Sequence, residues 1–203
     1  MVNILVVYYS TYGHTYQLAQ AEAEGAREGG GTEVKLVRVP ELIPEEVIQQ
    51  NAGMLQGREM QRDVPLAQLS DLEWAHGIAF GSPTRFGNMA AQMKNYLDQA
   101  GPLWFKGALE GKPGTCFTST ATMHGGQEST LITMWLPLIH LGMLVHGIPY
   151  SVPEINTTDR GGGPYGASTL TGSQGLWQPN ACELTIARIQ GKRLAEITKK
   201  LCG

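Results

Sequence analysis

The sequence predicts an α/β fold: a five-stranded, doubly wound parallel sheet with helices on both faces and loop insertions. Three observations carry that expectation. Ile4-Leu5-Val6-Val7-Tyr8-Tyr9 is an apolar β-branched and aromatic run without polar alternation, as in a central parallel strand buried on both faces. Further short apolar runs recur along the chain, each beside turn residues. Segments with helical spacing lie between them, and strands alternating with helices imply a parallel sheet.

The elements follow in chain order. After the first strand and a polar loop, Tyr16, Ala19, Ala23 and Ala26 recur at helical spacing until Gly29-Gly30-Gly31 closes the helix. Residues 34–39 supply a second strand, 77–80 a third, 115–118 a fourth and 144–148 a fifth. Residues 88–100 read as a helix between the third and fourth strands. Residues 126–140 do so between the fourth and fifth, with Pro137 removing a backbone donor and bending that helix. A final helix over 183–201 keeps Ile186, Ile189, Leu194, Ile197 and Leu201 on one approximate stripe for packing on the sheet. Two stretches resist the scheme. Residues 41–71 hold one short helical possibility at 44–50, and residues 151–180 are too rich in glycine for regular structure. Long ordered loops of this kind are functional or lie at interfaces.

Composition narrows the function. With 203 residues, 42% hydrophobic and 16% charged, the chain can bury one α/β domain over residues 1–203, with length left for insertions. A net charge of -3 with scattered Lys and Arg gives no attraction for nucleic acid. Cys116, Cys182 and Cys202 are odd in number and lack CxxC spacing, so neither a disulfide framework nor a zinc site is expected, and a reducing cytoplasm fits. No basic leader and no apolar run of about 18 residues suggests a membrane. Asn156-Thr157-Thr158 matches a glycosylation sequon but reads as a polar turn.

In a doubly wound sheet, ligands bind beyond the carboxyl ends of the strands, so the loops after the first, third and fourth strands belong together. The first contains Ser10, Thr11, Tyr12, Gly13, His14 and Thr15: hydroxyls, a glycine for a tight turn, and a following helix whose unpaired N–H groups face the loop. Such residues also suit an ordinary helix start. Without the lysine of GxxxxGK[ST] or a GxGxxG pattern, a phosphate monoester suits the loop better than ATP or a dinucleotide. The second offers Pro83, Thr84, Arg85, Phe86, Gly87 and Asn88, with a rigid proline, donors and an aromatic wall. The third runs through Ser119, Thr120, Ala121, Thr122, Met123, His124, Gly125 and Gly126. No GxSxG elbow, HExxH helix or paired metal-ligand spacing occurs.

Together Tyr8-Tyr9-Ser10 to His14, Pro83-Thr84-Arg85-Phe86-Gly87-Asn88-Met89, His124-Gly125-Gly126-Gln127-Glu128 and Arg160-Gly161-Gly162-Gly163-Pro164-Tyr165-Gly166 resemble the WrbA family, the type IV NAD(P)H:quinone oxidoreductases, nearly end to end. The resemblance implies a flavodoxin-like sheet of order 2-1-3-4-5. It also implies FMN, with the first loop on its phosphate, the second along the isoalloxazine, and the third around the ring and ribityl chain. By the same resemblance His140 lies near the pyrimidine edge of the ring as the catalytic histidine, Trp104 covers the ring, and Tyr12 contacts the nicotinamide nucleotide. Phe86 and Trp104 are expected to form the quinone slot. NAD(P)H and small quinones are the expected substrates, used in a ping-pong order, and a homotetramer is expected whose neighbouring subunits line the site. The chain departs from family members at Met123-His124, where some carry glycines, and at His140-Leu141, where they carry a histidine pair. A histidine at a helix end also caps carbonyls, and His124 suits a loop turn. His76, His146, Trp74, Trp135 and Trp177 read as structural, and Cys116 as a buried small hydrophobe. A one-electron flavodoxin-type carrier and a regulatory binding protein are the alternative functions.

Overall fold

The computed structural model describes residues 1–202. Its central sheet runs β2 (Thr32–Arg38), β1 (Val2–Tyr8), β3 (Gly77–Arg85), β5 (Pro113–Thr120) and β6 (Leu144–Val145), all parallel. This is the expected 2-1-3-4-5 order once two short strands off the main path are set aside. Alternate β1 side chains explain the two layers. Ile4, Val6 and Tyr8 pack beneath α1 (His14–Glu28) and α9 (Ala181–Cys202). Leu5, Val7 and Tyr9 enter the opposite core with Met93 of α5 (Ala91–Asp98) and Met134 of α7 (Gln127–His140). A strand buried on both faces has no polar alternation to show.

Helices α1 and α9 meet backbone to backbone. A Cβ on Gly25 would lie 1.8 Å from the Arg188 carbonyl oxygen, and one on Gly191 2.0 Å from that of Glu22. Glu22 is fully buried at this contact, and neither carboxylate oxygen has a hydrogen-bond partner. Burial pushes its pKa well above the ordinary carboxylate range.

Several expectations are corrected. The fifth strand does not continue through 148. It breaks after Val145 and resumes as β7 (Ser168–Leu170), so that β6 pairs with Pro113 and Gly114 while β7 pairs with residues 118–120 of β5. Gln190 of α9 fills the break: its Nε2 donates to the Cys116 carbonyl at 2.9 Å and its Oε1 accepts from the Ala167 N–H at 2.6 Å. A side chain thus replaces ladder bonds that buried backbone groups require. Asn88 and Met89 do not begin a helix. They form β4 (Asn88–Met89), antiparallel to the end of β3, around a turn in which Phe86 and Gly87 have φ of 55° and 78°. The helix starts only at Ala91, after the Ala90 N–H donates to Ser82 Oγ at 2.9 Å. Continuing past Pro137, α7 ends at His140.

The stretches that resisted the pattern hold more structure than expected. Residues 41–71 include α2 (Glu45–Gln49), α3 (Ala52–Met60) and the start of α4 (Leu69–Trp74). Helix α3 escaped notice because only Gly57 of its residues is fully buried, so no apolar stripe marks it. Residues 151–180 contain α8 (Glu154–Thr157) and β7, and the short α6 (Gly101–Phe105) follows α5. Among the described residues, no helix is long and apolar enough to cross a membrane, and no group of His, Cys, Asp or Glu is arranged to hold a metal ion.

Candidate functional site

The carboxyl ends of β1, β3 and β5 open into a cavity of about 880 Å³. Ser10, Thr11, Tyr12, His14 and Thr15 line it from the first loop, Pro83, Thr84 and Arg85 from the second, and Ser119, Thr120 and Ala121 from the third.

The first loop is built by local geometry. Gly13 adopts φ 91°, a left-handed conformation that costs glycine little, and its N–H donates to Ser10 Oγ at 3.1 Å. Helix α1 begins there. The first bond beyond the cap is Gln17 N–H to the Gly13 carbonyl at 3.1 Å, so the N–H groups of His14, Thr15 and Tyr16 have no helical acceptor. Thr15 Oγ1 lies 2.9 Å from Ser119 Oγ and ties the first loop to the third. Arg85 Nη2 donates to Thr11 Oγ1 at 2.9 Å and ties the second to the first.

A polar network behind the loop orients these groups. Thr11 Oγ1 donates to the Tyr9 hydroxyl, which itself donates to Glu41 at 2.9 Å and accepts from Gln92 Nε2 at 2.9 Å. Burial pushes the Tyr9 phenol up, keeping it protonated as the donor to Glu41. From the C-terminal cap of α3, Gln61 Nε2 donates to the carbonyls of Ser10 at 2.7 Å and Gly57 at 2.9 Å, stitching the helix to the loop. The contact is close: a Cβ on Gly57 would lie 2.4 Å from the Thr11 carbonyl oxygen.

His14 is the least satisfied group in the wall. The residue is 6% exposed, and Nε2 is buried without a partner. Burial pushes its pKa down, opposed by the Gly175 backbone. Above its ordinary pKa of 6.5 the imidazole is therefore neutral, and with its single ring proton facing the Gly175 backbone, Nε2 is left as a buried lone-pair nitrogen. The open N–H groups at the start of α1 fit an oxyanion bound through neutral donors, and Arg85 is the one guanidinium among the lining residues.

The remaining candidates lie elsewhere. Phe86 is fully exposed at the β3–β4 turn, and Gly87 and Asn88 follow it outside the cavity lining. After Ala121 the third loop turns away. Met123, His124 and Gly126 line a separate cavity of about 510 Å³ with Arg160, Gly162 and Tyr165. Thr122 and Gly125 line neither cavity; instead the Thr122 carbonyl accepts from the Gly125 N–H and from Thr120 Oγ1, both at 3.0 Å. Trp104 is exposed on α6 and lines neither cavity. His140 is exposed at the far end of α7, about 20 Å along the helix from Gly126 at 1.5 Å per residue. One chain does not bring Trp104 or His140 to the main cavity.

His76 is structural, its Nδ1 accepting from the Asn3 N–H at 2.8 Å. Trp74 lies under Lys35 and Trp135 against Tyr165, whereas Trp177 is half exposed beneath Arg160. Burial raises the Cys116 thiol, with Glu22 adding to the effect.

Two parts of the wall were not read from sequence as site residues. Asn51, Gly53, Gln56 and Met60 come from around α3, with the Tyr12 ring against Gly53. Residues 171–176 and Gln178 close the side nearest α1. The only signal for the latter was the glycine-rich string Thr171-Gly172-Ser173-Gln174-Gly175.

Comparison with known proteins bears on this geometry. A family described as NADPH-dependent FMN reductase matches residues 2–155. A protein of Acidithiobacillus ferrooxidans described as NAD(P)H dehydrogenase (quinone) is 51% identical over 205 residues, covering 100% of both chains. One of the same description from Aromatoleum aromaticum is 47% identical over 202 residues, covering 98% of this chain and 97% of the other. Among solved structures, a WrbA-like flavodoxin of Agrobacterium tumefaciens superposes with a TM-score of 0.62 at 24% identity, covering 98% of this chain and 99% of the other. At that identity the likeness shows the fold, which is flavodoxin-like.

Proposed function

The chain belongs to the NADPH-dependent FMN reductase family, and on that footing we propose that it is an FMN-dependent NAD(P)H:quinone oxidoreductase. The observation that carries the reading is the convergence of three strand-end loops on one cavity whose helix-start donors lack partners. The quinone-dehydrogenase description of relatives near 50% identity supports the substrate class.

FMN, when bound, supplies a ring that accepts a hydride and delivers two electrons onward. The protein binds and orients. His14, Thr15 and Tyr16 N–H groups, with the Ser10 and Thr15 hydroxyls, would hold the phosphate. Pro83, Thr84, Ser119, Thr120 and Ala121 would flank the ring and ribityl chain, and the Arg85 guanidinium would offset negative charge. NAD(P)H and quinone would use the open side near Tyr12 in turn, giving two half-reactions in a ping-pong order.

Phe86, Trp104 and His140, with Gly87, Asn88 and residues 122–126, would then complete the site in an assembly of copies, taken here as a homotetramer. The exposure of Phe86, Trp104, Phe105, Leu136 and Ile139 supports that reading, because a monomer gains nothing from so many uncovered large apolar groups. The positive φ of Phe86 adds a local cost that a covering subunit would repay.

The visible spectrum tests cofactor and reaction together. A flavin band should appear on FMN addition, bleach with NAD(P)H and return with benzoquinone. Failure to take up FMN would overturn the proposal.

A further inference from the structure

The cavity wall made by residues 171–178 belongs to none of the three strand-end loops, yet it is held at both ends. Its start is fixed beside the third loop by the Thr171 N–H donating to the Thr120 carbonyl at 2.8 Å. Its end is tied to α1, where Gln17 Nε2 donates to Gln178 Oε1 at 2.8 Å. Between them Gly172 and Gly175, with φ 77° and 71°, make a tight turn, and the Trp177 N–H closes it on the Thr171 carbonyl at 2.8 Å.

One carboxylate anchors the whole device. Glu183 is fully buried and accepts from the Leu170 N–H at 3.0 Å and Thr169 Oγ1 at 2.9 Å on one side of the loop. On the other side it accepts from the Asn180 N–H at 2.8 Å, and from the neighbouring Gly161 N–H at 3.0 Å. Arg160 completes the clasp. Its Nη2 lies 3.6 Å from Glu183 Oε2 and donates to the carbonyls of Leu170 and Gln178, while the guanidinium sits 5.1 Å from the Trp177 ring centroid. Capping α9 would need only the reciprocal bonds between Asn180 and Glu183. The bonds from Thr169 and Leu170 go beyond that cap and hold β7, the strand that leads into the cavity wall.

We propose that residues 171–178 form a fourth wall of the flavin site that reads its phosphate-bearing end, and that Glu183, Arg160 and Trp177 are its positioning residues. The proposal rests on the reading of the cavity as an FMN site. Gly175 faces His14, and Gln178 is bonded to Gln17, so the wall stands over the start of α1, where the open N–H groups lie. No lysine lines this cavity. Arg85 is its one guanidinium, so a phosphate over the start of α1 draws mainly on neutral donors, and the exposed Ser173 hydroxyl and Gln174 amide border the same space.

Apoprotein titrated with FMN and with riboflavin, followed by quenching of flavin fluorescence, tests this. The S173A/Q174A double variant alters only exposed side chains, and Arg160→Met releases the clasp. Both should weaken FMN binding about tenfold, the weight of one charge-assisted hydrogen bond, while riboflavin binding changes by less than about twofold. Arg160→Lys should recover only part of the loss, since an ammonium lacks the fork that spans two carbonyls. Unchanged FMN affinity, or FMN and riboflavin weakened in parallel, overturns the proposal. The double variant decides even if Arg160→Met fails to fold. A wild-type protein that takes up neither flavin would overturn the underlying site reading; wild-type uptake with indifferent variants would overturn the fourth wall alone.

Discussion

Replacing Gly57 by alanine adds a single methyl group where α3 presses on the first loop. The new Cβ would lie 2.4 Å from the Thr11 carbonyl oxygen, 2.7 Å from Tyr12 Cα and 2.9 Å from its carbonyl carbon, all backbone atoms that no side-chain rotation can move aside. Ordinary contact needs about 3.5 Å, so helix and loop must part by roughly 1 Å. Gln61 resists that parting through its two hydrogen bonds to the carbonyls of Ser10 and Gly57. Overpacking of this kind costs about 1–3 kcal/mol, and the better helix propensity of alanine returns up to about 1 kcal/mol. The net global destabilisation is therefore small, about 0–2 kcal/mol by the same magnitudes. The local effect falls on the phosphate loop. If about 1–2 kcal/mol of the strain must be relieved when FMN enters, its Kd rises roughly 5- to 30-fold. Fluorescence titration of the apoprotein with FMN measures this, and thermal unfolding without flavin provides the control. A Kd within twofold of wild type would refute the argument that α3 sets the shape of this loop.

Three other perturbations are tractable. Glu22→Met should stabilise the protein by about 1–3 kcal/mol, because it replaces an unpartnered buried carboxyl with an apolar chain of similar length. Its pKa in the fold is raised, so wild-type stability is fullest below 4.5 and falls as pH rises toward the folded value; the Met variant's advantage in melting temperature should accordingly be larger at pH 8 than at pH 5. His146 behaves in the opposite sense: burial pushes it down to about 4 from 6.5, so its contribution is present above 6.5 and is lost as pH falls toward 4, and His146→Gln should show a flatter acid limb in pH-dependent denaturation. Arg85→Met removes the one guanidinium lining the cavity and should make the flavin midpoint potential more negative by on the order of tens of millivolts in a redox titration; an unchanged potential would separate Arg85 from the ring.

The legible parts of the site are those that strand ends dictate. Ser10, Thr11, Gly13 and Thr15 could be read as an anion loop because a polar, glycine-containing turn follows an unmistakable buried strand. Pro83, Thr84, Arg85, Ser119 and Thr120 joined it because a parallel sheet places alternate loops on one edge. Residues 171–178 and α3 were not legible as walls. Their side of the cavity is formed by backbone contact at Gly57 and by the reach of Glu183 and Arg160 across the fold, and neither leaves a periodic pattern. The break in the fifth strand was hidden for a related reason, since its missing ladder bonds are supplied by Gln190, far away in sequence.

By itself the sequence determined the order of the main strands, the helices that pack on them and the loops at the carboxyl edge, because burial on both faces writes itself into continuous apolar runs and helical spacing. The tertiary structure alone decided which residues share a cavity. It separated Phe86, Trp104 and His140 from the first loop and brought in residues 171–178, because a three-dimensional wall is set by where chain ends are anchored, through buried hydrogen bonds between residues that no local period connects.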